Sequence, residues 1–237
     1  MNTPSLAAGP ALDHLVVMAA SLDEGVAWCE ATLGVTPGPG GEHPLMGTHN
    51  GLLRIATPDF PLAYLEMIAI NPGAARDRRT LGSCWFDMEK PALKAHIARQ
   101  GPQLIHWVAR VPDVQATVAG LAALGLDRGE ILQASRATPT GLLQWQITVR
   151  PDGQRLFDGC LPTLIQWGDT HPAAAMPACG ITLQSLQLQH PDADTLRAAC
   201  KRLGLRATGV RAGPARLSAR LQTPRGLIDL QSSDPLP

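Results

Sequence analysis

The sequence lacks an excess of either charge, with 20 Lys and Arg against 20 Asp and Glu in 237 residues. Without a global field, nucleic acid and anionic membrane surfaces have no electrostatic claim as partners, and the basic residues are scattered without the aromatic interleaving of a nucleic-acid groove. The five cysteines, Cys29, Cys84, Cys160, Cys179 and Cys200, include no Cys-x-x-Cys pair. Their odd number and wide spacing argue against a zinc ribbon or a disulfide framework and point to a reducing, cytoplasmic setting. No run of about 18 uncharged apolar residues offers a spanning helix. "MNTPSLAAGP" has neither the basic region nor the apolar run of a signal peptide. Also missing are the GxxxxGK[ST] phosphate loop, a Rossmann fingerprint, HExxH and the GxSxG elbow. What remains is an ordinary globular composition, 45% hydrophobic, which suffices for a substantial core.

One pattern then occurs three times. Residues 12–34 open with the apolar run "LDHLVVM" and switch to helical spacing at Leu22, Val26, Cys29 and Leu33. Ser21 and Glu24 stand in capping-box spacing, and Gly34 sits where a left-handed C-terminal cap belongs. A Gly/Pro-rich loop, a strand around "GLLRIAT", the turn "PDFP" and the strand "YLEMIAI" complete a β-α-β-β-β unit. Residues 104–125 repeat the opening with Asp113 as helix cap, followed by "GLLQWQITV" and "LPTLIQWG". Residues 183–204 repeat it again, and "GLIDLQSS" closes that unit with Asp229 in the place of Glu66. The fold class expected is α+β, built from βαβββ modules over 11–70 and 103–170, a connector over 71–102 and a third, partial module over 180–233.

Glu66 lies in the middle of a strand that is apolar on both faces, where an unpaired carboxylate costs several kcal/mol or takes up a proton. Strand alternation puts Leu12, His14 and Val16 on one face, Tyr64, Glu66 and Ile68 on another, then Leu104, His106 and Val108, and finally Leu164 and Gln166. Stacked copies would bring His14, Glu66, His106 and Gln166 into one pocket, a donor set suited to a metal ion with open positions. Each has a plainer reading: hydrogen-bonded core histidines, a glutamate paired with an arginine, an amide bridging backbone groups. His49 and Asn50 in "GTHNG" read as rim residues that bind substrate oxygens or as a tight Asn-Gly turn. Arg54 is a substrate-carboxylate anchor or a solvated arginine, and Trp85, Trp107, Trp145 and Trp167 line a cup or pack the core.

The runs "LDHLVVMAASLDEGVAWCEATLGVTP", "GGEHPLMGTHNGLLRI", "YLEMIAINP", "TGLLQWQITV" and "LPTLIQWGDTHPA" resemble the vicinal oxygen chelate superfamily, in its glyoxalase-like branch. The resemblance implies curled mixed sheets that form a cup, and a divalent metal ion (Zn, Ni, Fe or Mn) held by first-strand and last-strand residues. His14, Glu66 and His106 match that ligand pattern. Gln166 departs from it, because an acid usually stands there. The function implied is a metal-dependent enzyme that chelates adjacent oxygens of a small substrate as an isomerase, lyase or dioxygenase, with Glu66 doubling as proton shuttle. The alternative is a non-catalytic protein of the same fold that binds or sequesters a small molecule. A small-molecule substrate is the expected partner, and a homodimer the expected assembly to test.

Overall fold

The computed structural model describes residues 9–74, 84–138, 141–205 and 207–233. Residues 1–8, the middle of the connector at 75–83, and residues 139–140, the second of which opens the run "TGLLQWQITV", lie outside the described residues.

The first module runs β1 (Ala11–Met18), α1 (Leu22–Trp28), β2 (Gly38–His43), β3 (Thr48–Arg54) and β4 (Tyr64–Ile70). Ser21 caps α1 by accepting the Glu24 N–H, and the helix widens into a π-turn over Cys29–Leu33 that Gly34 ends at φ 77°. A β-carbon at Gly25 would lie 2.5 Å from Met67 Cγ, so the glycine is what lets α1 settle onto β4. The connector contributes α2 (Pro91–Gln100). The second module follows as β5 (Gln103–Arg110), α3 (Val114–Ala122), β6 (Glu130–Thr138), β7 (Gly141–Val149) and β8 (Thr163–Trp167). After the short α4 (Pro172–Ala175) come β9 (Thr182–His190), α5 (Ala193–Arg202), β10 (Thr208–Ala212), β11 (Arg216–Thr223) and β12 (Gly226–Gln231).

The two modules form one eight-stranded sheet in the order β2-β3-β4-β1-β5-β8-β7-β6. In each, the last strand returns to lie parallel to the first, and the antiparallel pair β1–β5 joins the halves. The sheet curls, giving the mixed-sheet cup expected from the sequence. The last unit forms a separate four-stranded sheet, β10-β9-β11-β12. There β9 pairs in parallel with β10 across α5, and β12 ends up on the outer edge. Asp229 on β12 is therefore no counterpart of Glu66; it accepts from Arg220 at 2.7 and 2.8 Å on the exposed surface.

Two apolar layers follow. On the convex side Leu15, Leu65, Trp107 and Leu164 of the large sheet pack with Cys29 and Leu33, Leu121 of α3, Leu196 of α5 and Leu186, Leu217 and Leu221 of the small sheet. On the concave side Val16, Ile68, Val108 and Ile165 meet the connector, whose Trp85, Phe86, Met88, Leu93 and Ile97 are buried there. The connector thus fills part of the cup, and burying each such side chain contributes about 1.5–3 kcal/mol.

Candidate functional site

The site starts from an irregularity in β1. Leu12 pairs with Ala109 and His14 with the adjacent Val108, so Asp13 is an extra residue bulged out of the ladder. The bulge takes Asp13 out of strict alternation and brings it to the same side as His14. Asp13 is fully buried and accepts from His14 Nδ1 at 2.7 Å, Trp167 Nε1 at 2.9 Å and His171 Nε2 at 2.9 Å. His171 Nδ1 accepts the Ala173 N–H at 3.1 Å, which assigns the proton to its Nε2. Burial works against the Asp13 charge, but His171 and His14 overcome it and hold this carboxyl far below its ordinary range. With Nδ1–H committed to Asp13, His14 presents Nε2 to Glu66, 3.6 Å from Oε2. Tyr64 stacks on the His14 ring at 4.6 Å between centroids. Burial, with Asp13 and Glu66 nearby, pushes the Tyr64 phenol well above its ordinary value, so it keeps its proton.

Glu66 is fixed from the other side. Its Oε1 accepts from Asn50 Nδ2 at 2.5 Å, and Asn50 Oδ1 accepts the Gly41 N–H at 2.8 Å, which leaves the amide one orientation. Asn50 Nδ2 also lies 3.4 Å from His43 Nε2, while His43 Nδ1 is 3.0 Å from Thr48 Oγ1. Burial keeps His43 below the ordinary histidine range although Glu66 opposes it, and a neutral ring with Nε2 as acceptor fits both contacts. A β-carbon at Gly40 would fall 2.0 Å from Asn50 Oδ1, so only glycine lets β2 approach this amide. The walls are Trp85, Phe86, Trp145, Ile147, Ile165, Trp167 and the side chain of Arg136. The open space among them is about 40 Å³. That suits a few waters or a ligand of few heavy atoms, against the roughly 300–1,000 Å³ of a drug-sized site.

Of the residues singled out from the sequence, His14, Glu66, Asn50, Trp85, Trp145 and Trp167 meet in this cup, and Trp107 packs in the core. His106 does not join them. Its Nδ1–H donates to Gly159 O at 3.0 Å, its Nε2 accepts the Thr163 N–H at 3.2 Å, and Phe86 covers it at 4.9 Å. Burial, aided by Arg128 and Arg155, holds it well below the ordinary histidine range, as a neutral core residue. The pairing register accounts for Gln166. Glu66 pairs with Val16, two residues beyond His14; the position two beyond His106 is Val108, and its partner is Thr163. Thr163 thus stands where a second acid would, and Gln166 lies on the opposite face, where its Oε1 accepts the Val114 N–H at 2.9 Å. His49 lines a separate groove with Ser21, Ile70 and Lys94, and Arg54 sits at the far end of β3 outside the cup lining.

These donors do not fit the expected metal centre. Both ring nitrogens of His106 and the Gln166 oxygen are engaged elsewhere, leaving one imidazole nitrogen and one carboxylate. Among the described residues no three His, Cys, Asp or Glu side chains are grouped to hold an ion. Sequence reasoning missed Asp13, His43, Tyr64, Arg136 and His171. The dipeptide Asp13-His14 was visible, but strict alternation sends Asp13 to the other face, and only the bulge brings it to His14.

The sequence matches the family described as "Glyoxalase-like domain" over residues 12–204. No curated protein matches. Among solved structures, a hypothetical protein from Staphylococcus aureus is similar at 14% identity with a TM-score of 0.54, covering 95% of this chain and 86% of its own. A single-residue variant of a Streptomyces coelicolor methylmalonyl-CoA epimerase, in complex with 2-nitronate-propionyl-CoA, is 18% identical with a TM-score of 0.39, over 66% of this chain and 95% of its own. A methylmalonyl-CoA epimerase in complex with methylmalonyl-CoA and NH4+ gives 18% and 0.41, over 72% and 100%. The first of these bears on the fold alone.

Proposed function

From a chain that belongs to the glyoxalase-like domain family of the vicinal oxygen chelate superfamily, we propose an enzyme that moves a proton on a small oxygen-bearing substrate, with His14 and Glu66 as the acid–base pair. The observation that carries this is the pair itself: Nε2 and Oε2 face each other at 3.6 Å, and each group is anchored from behind, His14 by Asp13 and Glu66 by Asn50. A carbon-bound hydrogen next to a carbonyl, held against this pair, can be taken by one group, passed to the other across 3.6 Å and returned to the enolate so formed. That is isomerase or lyase chemistry, and positioned acid–base groups supply typically 10²–10⁴-fold of such a rate. The residues present support no step through a resident metal ion. Binding without turnover is the second reading, favoured by the His106–Thr163 contact that takes the second module's histidine out of service.

Proton exchange in D2O, followed by proton NMR on short 2-oxo compounds, tests the proposal. The expected result is exchange of the hydrogens next to the carbonyl, lowered about 10²–10⁴-fold in Glu66→Gln and in His14→Gln. Compounds that bind without exchanging would establish the second reading instead.

A further inference from the structure

The cup contains a charged group that the acid–base pair does not use. Arg136 rises from β6, one edge of the large sheet, and its guanidinium lies over Gly41 of β2, the other edge. A β-carbon at Gly41 would be 1.9 Å from Arg136 Nη1, so the missing side chain is what makes room for the guanidinium. Among the described residues Arg136 has no hydrogen-bond or ion-pair partner, yet it lines the same cup as His14 and Glu66. A half-buried guanidinium carries five donors in a fixed fork suited to a planar carboxylate.

Resting on the proton-transfer reading, we propose that Arg136 binds the carboxylate of the substrate and that the site takes short 2-oxo monocarboxylates. Among the described residues the cup contains one free cation, no lysine, and Glu66 as an opposing charge. A monoanion on Arg136 leaves that balance acceptable, whereas a phosphate dianion would meet too little positive charge and the repulsion of Glu66. The space of about 40 Å³ restricts the ligand to a few heavy atoms. The aromatic rings of Trp85, Trp145 and Trp167 would flank its apolar end.

Those tryptophans also report occupancy. Pyruvate and 2-oxobutyrate are titrated against their methyl esters by tryptophan fluorescence, in the intact chain and in four variants. The acids should bind at least about 10-fold more tightly than the esters, since a charge-assisted hydrogen bond is worth about 1.5–3 kcal/mol. Arg136→Gln should erase that preference and Arg136→Lys restore part of it. Gly41→Ala, which leaves Arg136 in the sequence but takes the place of its guanidinium, should weaken the acids and spare the esters. Glu66→Gln should keep the acid preference while losing exchange, which separates this inference from the proton-transfer reading. Equal affinity for acid and ester, no effect of Arg136→Gln, or no binding of either acid overturns the inference, even if exchange on uncharged carbonyls survives. Arg136-dependent acid binding without exchange would leave it standing and overturn the reading beneath it.

Discussion

Asp13 links the core to the chemistry. It orients His14 and ties β1 to Trp167 of β8 and to His171 beyond it, so its removal acts on both stability and function. Asp13→Ala should destabilise the chain by about 3–5 kcal/mol, the cost of leaving buried partners uncompensated, and should lower exchange by letting His14 take either tautomer. Urea unfolding and the D2O assay read the two effects. Because the folded-state value of Asp13 lies below its ordinary 3.8, its stabilisation is present above that pH and is lost as the pH falls further. His106 and His43 act earlier on the scale. Both are held below the ordinary 6.5, so the unfolded chain takes up their protons first and stability drops as the pH falls below 6.5. Each contributes a slope of up to about 1.4 kcal/mol per pH unit. Urea midpoints at pH 7.5 and 5.5 should differ in the wild type and differ less in His106→Asn.

At the scale of single elements, β2 has a narrow tolerance. An alanine at Gly40 would press on the Asn50 backbone oxygen at 2.3 Å as well as on its side chain, so the strand itself must retreat. Gly40→Ala should cost about 1–3 kcal/mol and lower exchange by freeing Glu66; Gly41→Ala, which meets only the end of a flexible arginine, should leave the urea midpoint nearly unchanged. What the sequence made legible was local. The strand-to-helix switch, the Ser21 cap and the Gly34 terminus all come from neighbouring residues, and so do the positions of His14 and Glu66 on their strands. Pairing across the chain was not legible. The register that puts Thr163, and not Gln166, in the place equivalent to Glu66, and the order β10-β9-β11-β12 that sends Asp229 to an edge, depend on pairing between distant strands. A side chain's face reverses with each one-residue slip, so Gln166 read as a ligand becomes a helix cap.

The whole molecule separates two sides of one sheet: an apolar layer shared with the small sheet, and a cup narrowed by the connector. The connector's fit was hidden because nothing local shows that Phe86 covers His106 or that Trp85 stacks on Phe86. A chain whose second histidine is sealed in this way should carry well under one equivalent of metal after purification. Zinc, nickel, iron or manganese added to the solution should leave its melting temperature unchanged; a stoichiometric ion by elemental analysis, lost in His14→Ala, would reverse that expectation. No helix among the described residues is long and apolar enough to cross a membrane.

The antiparallel seam between β1 and β5 is made within a single polypeptide. Both halves of the bowl are therefore supplied together, at an effective concentration set by the intervening chain and not by the bulk. Turnover per molecule should hold constant down through nanomolar dilution, whatever larger assembly forms at higher concentration.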